Sequence, residues 1–176
     1  MLESSIPKPS MPEPSISFCP VPEEQQPLNE YEQLRESWLF NWAVQTPGQY
    51  IRKLTTVWVL GWVIAGPISA NSFPFDKYPL HFTLAAAGGA LIFVVLLLLR
   101  LYSGWSYICD RLYRETVIYE ESGWYDGQTW EKSTEVLQRD RLVMAYQVKP
   151  VLQRLKKTFV LLAVFVALGS VTWIIV

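Results

Sequence analysis

Three apolar runs, Leu54–Ala70, Phe82–Leu99 and Phe159–Val176, constrain this 176-residue chain more than any other feature. Each approaches the ~20 apolar residues that cross a ~30 Å hydrocarbon core at 1.5 Å per residue. As core helices of a soluble protein, the three would need more covering surface than the remaining chain offers. The hydrophobic fraction of 51% is concentrated in these runs. The expected fold is therefore a mainly α-helical integral membrane protein with three transmembrane helices.

The net charge of −1 hides an asymmetry that matters more in a membrane than the total. Arg52 and Lys53 precede the first run, Arg100, Arg111 and Arg114 follow the second, and Arg154, Lys156 and Lys157 precede the third. Between the first two runs, Asn71–His81 carries only Lys77, and nothing basic follows the third. Basic residues stay on the cytoplasmic side, so the N-terminus and residues 102–157 are expected to be cytoplasmic or stromal, and the C-terminus lumenal. Only Cys19 and Cys109 are present, at no metal or redox spacing, and both fall on the expected reducing side. No disulfide is expected. The first residues are polar, rich in proline and include Glu3 and Glu13, which suits neither a cleavable signal nor a transit peptide. The first span is expected to serve as the insertion signal.

Seven prolines fall between Met1 and Pro27, with little apolar clustering, and residues 1–28 are expected to be a disordered tail. Part of it, Phe18–Pro27, has the composition of an extended segment that could lie on another surface. Residues 29–45 are expected to form an amphipathic interfacial helix. Asn29 and Glu32 supply its cap, and Tyr31, Leu34, Trp38 and Trp42 its aromatic face. Residues 46–101 read as a transmembrane helical hairpin, opened by Thr46-Pro47-Gly48-Gln49 as cap and first turn. Gly66-Pro67 is expected to bend or end the first helix. The small residues Ala85–Ala90 offer a surface for close helix packing within the subunit. The second helix is expected to continue through Tyr102, Trp105 and Tyr107, with Arg111 and Arg114 on exposed last turns.

Residues 102–157 form the one long polar segment. Thr116–Tyr119 is β-branched and aromatic, and Ser122-Gly123 and Asp126-Gly127 are turn signals, which predicts a β-hairpin near 116–131. An isolated hairpin is marginal in water, so it must pack on something, such as a helix near 134–148. Pro150 is expected to kink or break the helical pattern before the third transmembrane helix, residues 158–176.

Little chemistry is available. His81, the single histidine, lies at the far interface without a Cys, Asp or Glu cluster. No nucleophile–histidine pairing can form across the bilayer, and no glycine-rich phosphate loop is present. None of the spans has an ionisable residue near its middle, which disfavours transport. Glu120, Glu121 and Asp126 could gather at a turn, but Arg111, Arg114, Arg139 and Arg141 are at hand to neutralise them. That favours an ion-pair network over a metal site, and these arginines could also meet anionic headgroups. The candidate partner or ligand contacts are Tyr119, Glu120, Glu121, Trp124, Tyr125, Asp126, Arg139, Asp140 and Arg141. No catalytic or metal-ligating residue is assigned.

Several stretches together, Cys19-Pro20-Val21-Pro22 with Glu24-Gln25, Asn29-Glu30-Tyr31, Tyr119–Gln128 and Arg139-Asp140-Arg141-Leu142, carry a family likeness. From Phe18 to the C-terminus the chain resembles the hypothetical chloroplast reading frame thirty-six family, whose plant members are grouped as conserved in the green lineage and diatoms. Its acidic N-terminus is more similar to cyanobacterial or plastid-encoded members than to nuclear-encoded ones. The resemblance implies a thylakoid or plastid membrane setting and a link to photosynthesis, and carries over no cofactor and no catalytic residue. The leading expectation is a non-catalytic factor that assembles or stabilises a photosynthetic membrane complex, in contact with membrane lipids and with no nucleic-acid partner. The alternative is an interfacial protein that binds a metal, pigment, quinone or lipid, with or without enzymatic action.

Overall fold

The computed structural model describes residues 19–120 and 127–175. Its backbone is mostly helical: α1 (Pro27–Glu36), α2 (Pro47–Ser72), α3 (Pro79–Tyr113), α4 (Thr134–Val143) and α5 (Lys149–Ile175), with β1 (Thr116–Tyr119) and β2 (Gln128–Glu131) between α3 and α4. Three helical stretches, Pro47–Ser72, Pro79–Tyr113 and Thr134–Ile175, are long and apolar enough to cross a membrane.

Small residues let α2 and α3 pack closely. A β-carbon on Gly61 would lie 3.1 Å from Ala90, and one on Gly89 3.0 Å from Ala65. Trp58 Nε1 donates to the Ala87 carbonyl at 3.3 Å. The Ala85–Ala90 surface is thus used inside the subunit, as its composition predicts. Pro47 stands in the first turn of α2 behind Thr46, but the Thr46 hydroxyl makes no capping bond. Nor does Gly66-Pro67 end the helix, which runs on to Ser72 with Pro67 inside it. Proline removes one donor, whereas unwinding on an apolar surface would strip partners from several backbone groups, so continuing is cheaper.

The expected helix over residues 29–45 is two pieces. α1 starts at Pro27, with Gln26 and not Asn29 in the cap position, and ends where Ser37 turns extended (ψ 131°). A 3₁₀ turn, Phe40–Ala43, follows. The break swings Phe40 over Gly104 of α3, where a β-carbon would overlap its ring. Trp38 is left 75% exposed, with Trp42 edge-on at 5.8 Å, while Tyr31 is buried edge-on to Trp105. Trp105 is itself fully buried, and its Nε1 donates to the Phe40 carbonyl at 3.3 Å.

The strands pair antiparallel, Thr116 with Glu131 through Tyr119 with Gln128, within the interval where the hairpin is expected. Alternation buries Val117 and Tyr119 and leaves Ile118 outside. What covers the buried face is the segment expected to be a disordered tail: Val21 is 3% exposed in a cluster with Val117, Tyr119, Cys19 and Trp130. From Cys19 onward that segment is ordered because the hairpin gives its few apolar side chains somewhere to go.

No break occurs at Pro150. The turn widens into a π-helical segment, Met144–Val148, and α5 begins at Lys149 without interruption. A step of four residues overshoots an α-helical turn by about 40°. The wider segment absorbs that drift, and Asp140, Met144 and Val148 all face the core. At the opposite end of the molecule, Trp173 of α5 meets His81 (4.7 Å) and Phe73 (5.3 Å), so the α2–α3 connection and the end of α5 lie together, away from the hairpin.

Candidate functional site

Of the candidate contact residues, Glu121, Trp124, Tyr125 and Asp126 lie outside the described residues. The others divide into two groups that the fold does not bring together. Tyr119 is buried inside the hairpin, 8% exposed, and supports the sheet from within. Glu120 points outward, and its backbone is held instead: its N–H donates to Gln25 Oε1 at 2.9 Å, and Gln25 Nε2 donates back to its carbonyl at 3.0 Å. One side-chain amide thus mimics a strand residue and clasps the tail to β1.

Arg139, Asp140 and Arg141 belong to a different neighbourhood. Asp140 is 1% exposed, with Oδ2 2.8 Å from Lys132 Nζ. Among the described residues its Oδ1 has only Arg139 Nη2, at 3.8 Å, and neither oxygen receives a well-directed hydrogen bond. Lys132 also donates to the carbonyls of Arg111 (3.0 Å) and Leu112 (3.4 Å), the last turn of α3. The ammonium therefore satisfies orphan carbonyls at the negative end of a helix and neutralises a buried carboxylate at once. Arg141 reaches Glu115 at 3.0 Å and lies over the Tyr113 ring. These residues bolt α3, β2 and α4 together; Asp140 is a structural anchor and not an exposed contact.

Each arginine expected to neutralise the hairpin acids has a partner elsewhere among the described residues; Glu121 and Asp126 themselves lie outside them. Arg114 pairs with Asp110 at 2.7 Å on an exposed face. Arg111 is half-buried: it pairs with Glu30 of α1 at 3.1 Å, donates to the Gln25 carbonyl and to the Tyr107 hydroxyl at 2.9 Å each, and so ties tail, α1 and α3. Burial pushes the Glu30 carboxyl above its ordinary value, with Arg111 pulling it part of the way back. Lys132 escaped sequence reasoning because nothing sets it apart from any surface lysine. Gln25 escaped because its partner Glu120 lies 95 positions away, and the pairing of Arg111 with Glu30 escaped because 81 positions separate them. Among the described residues no group of three or more His, Cys, Asp or Glu could hold a metal ion.

A second feature comes from how α5 leaves the core. Its first turns pack on α3 through Val151 and Leu155, and beyond them none of its eighteen most apolar residues is buried. Between α2, α3 and α5 this leaves a cleft of about 1060 Å³. Its floor is α3 at Leu84, Gly88 and Leu91; Trp58 of α2 and Phe165 of α5 face it from the sides. The hairpin-side end is polar, with Tyr50, Gln153, Arg154, Lys157 and Thr158 in the lining. Tyr50 donates to Thr158 Oγ1 at 3.1 Å, and Arg154 Nη1 donates to the carbonyls of Ala43 (3.0 Å) and Gln45 (2.6 Å).

Residues 19–161 match the model of the CGLD27-like family, described as conserved in the green lineage and diatoms 27. The chain is 51% identical over 142 residues to the uncharacterized protein ycf36 of Cyanophora paradoxa, covering 81% of this chain and 89% of that one. It is 47% identical over 141 residues to the protein conserved in the green lineage and diatoms 27, chloroplastic, of Arabidopsis thaliana, covering 80% of this chain and 43% of the longer plant protein. The uncharacterized protein ycf36 of Pyropia yezoensis is 42% identical over 149 residues, with 85% of this chain and 90% of that one covered. No solved structure matches the chain. The matched region takes in the clasp, the ion pair and the cleft as far as Leu161, and leaves out the α5 wall from Leu162 to Trp173.

Proposed function

This chain belongs to the CGLD27-like family, and from that premise we propose that it is a non-catalytic thylakoid protein that helps to assemble or stabilise a photosynthetic membrane complex. A chloroplastic relative and three apolar helices fit a plastid-membrane location. The observation that carries the reading is the contrast within one continuous helical path, Thr134–Ile175. Its first part is locked into the polar module by the Lys132–Asp140 pair, and its last part exposes large apolar side chains along most of its length, from Val160 to Ile175. A rigid polar head on a mostly exposed apolar helix suits a protein that presents its head to one complex while the helix lies among lipids or neighbouring spans.

The orientation we propose sets the module and the N-terminus on the cytoplasmic or stromal side and the C-terminus in the lumen. Supporting it, Arg52, Lys53, Arg100, Lys156 and Lys157 flank the helices at the module end. Gentle solubilisation of membranes followed by native electrophoresis tests the role. Co-migration with subunits of a photosynthetic complex is the expected result. Migration only as a free monomer under every growth condition would overturn it, and protease protection of the hairpin in sealed, right-side-out stroma-facing vesicles would overturn the orientation.

A further inference from the structure

We propose that the cleft between α2, α3 and α5 is a binding site for one acidic glycerolipid, its anionic headgroup at Lys157 and Arg154 and an acyl chain along the floor. Charge and shape commit the site to that occupant. All ionisable side chains of the lining other than Tyr50 are basic, Arg154 and Lys157, and both stand at the hairpin-side end. Lys157 has no carboxylate within ion-pair distance among the described residues, and Arg154 is fixed in place by the two carbonyls at the end of the 3₁₀ segment. Lys156 and Lys53 add positive charge to the same end of the helices. A cationic rim above an apolar slot attracts an amphiphile with a negative head, each basic residue near a membrane surface contributing separately.

The slot is shaped for hydrocarbon. From Arg154 to Trp173 the wall formed by α5 extends about 28 Å at 1.5 Å per residue, close to the depth of a bilayer core. At about 1060 Å³ it lies just above the range for small-molecule sites, roughly 300–1,000 Å³. Two glycines keep it open: Gly88 on the floor and Gly169 on the wall, where an added β-carbon would meet nothing within 4 Å. Elsewhere the helix-packing glycines Gly61 and Gly89 are in tight contact, so these two are not needed for packing. Trp173, seated on His81 and Phe73, closes the far end. A slot walled on three sides holds a chain against exchange in a way that a flat helix face does not.

The test uses the full-length protein purified in a mild non-ionic detergent and titrated with phosphatidylglycerol or phosphatidylcholine carrying brominated acyl chains. Bromine quenches nearby indoles, and Trp58 and Trp173 line the slot. Expected is saturable quenching with phosphatidylglycerol preferred over phosphatidylcholine. Lys157→Gln should reduce that preference about fivefold, the effect of removing one basic residue at a membrane surface. Gly88→Leu and Gly169→Leu, which project side chains into open space, should abolish saturable quenching by both lipids while far-ultraviolet circular dichroism stays unchanged. Equal quenching by the two lipids, an unchanged preference in Lys157→Gln, or full saturable binding in both leucine variants would each overturn the proposal. So would cross-linking from Gly169→Cys that captures a protein helix in place of lipid. Because no partner complex enters the assay, failure here leaves the proposed assembly role standing, and the converse also holds.

Discussion

Lys132 and Asp140 give the sharpest test of how the polar module is held. Their side chains are 0% and 1% exposed, so the pair exchanges almost no solvation with bulk water. Removing one partner of such a pair leaves an uncompensated buried charge and typically costs about 3–5 kcal/mol, whereas replacing both with apolar residues of similar size is often neutral or stabilising. Asp140→Leu strands an ammonium that still has the Arg111 and Leu112 carbonyls, and should fall near the lower end, ~3 kcal/mol. Lys132→Met strands a carboxylate whose one remaining cation among the described residues is Arg139 at 3.8 Å, and uncaps α3 as well, so it should reach ~5 kcal/mol. The double variant should recover to within ~2 kcal/mol of the native protein, short of it because the α3 carbonyls lose their donor. Denaturant titration of the detergent-solubilised protein, followed by tryptophan emission, measures all four corners of the cycle. Single variants within ~1 kcal/mol of native, or a double variant no better than the worse single, would refute the claim that charge compensation inside the core holds strand and helix together.

Two further outcomes follow from the neighbouring contacts. Gln25→Ala removes both hydrogen bonds to the Glu120 backbone and should speed exchange of the Glu120 amide about fivefold or more, read by hydrogen–deuterium exchange, without altering exchange in α2. Glu30 has its carboxyl raised by burial, so its contribution to stability is fully present below about pH 4.5 and is lost as the pH rises through the raised value. Glu30→Gln should remove that loss, and the difference in melting temperature between variant and native should shift in the variant's favour from pH 4.5 to pH 7.5; a difference that does not change with pH would count against the assignment.

The parts of the fold that hydrophobic content dictates were legible from residue order. Apolar run length located the three long helices, β-branched residues between turn signals located the strands, and small residues marked where α2 and α3 touch. What could not be read was what the chain does at prolines inside a helical path. Pro67 and Pro150 both look like helix breakers, yet α2 passes through the first, and a π-helical segment with Gln147 receiving the Tyr31 hydroxyl leads into the second. In each case the competing term is tertiary: the bonds and burial preserved by continuing exceed those lost at one residue.

The site was legible only in part, for a reason that bears on how this family should be probed. Acids and arginines around the hairpin look like a surface charge cluster, but sequence spacing cannot distinguish a solvated carboxylate from one facing a buried lysine. Asp140 is the instructive case: flanked by two arginines, it reads as the centre of an exposed charged motif, yet Arg141 turns to Glu115, Arg139 stays 3.8 Å away, and a lysine eight positions earlier takes it at 2.8 Å. Substituting Arg139-Asp140-Arg141 as a block would therefore disrupt folding and surface chemistry together. Changes confined to Arg139, 55% exposed at its side chain, and to Glu120 leave the anchor intact. Loss of complex association in Arg139→Ala or Glu120→Ala, with native stability, would assign a contact role to that surface. Loss in Asp140 variants alone would report only that the module must fold.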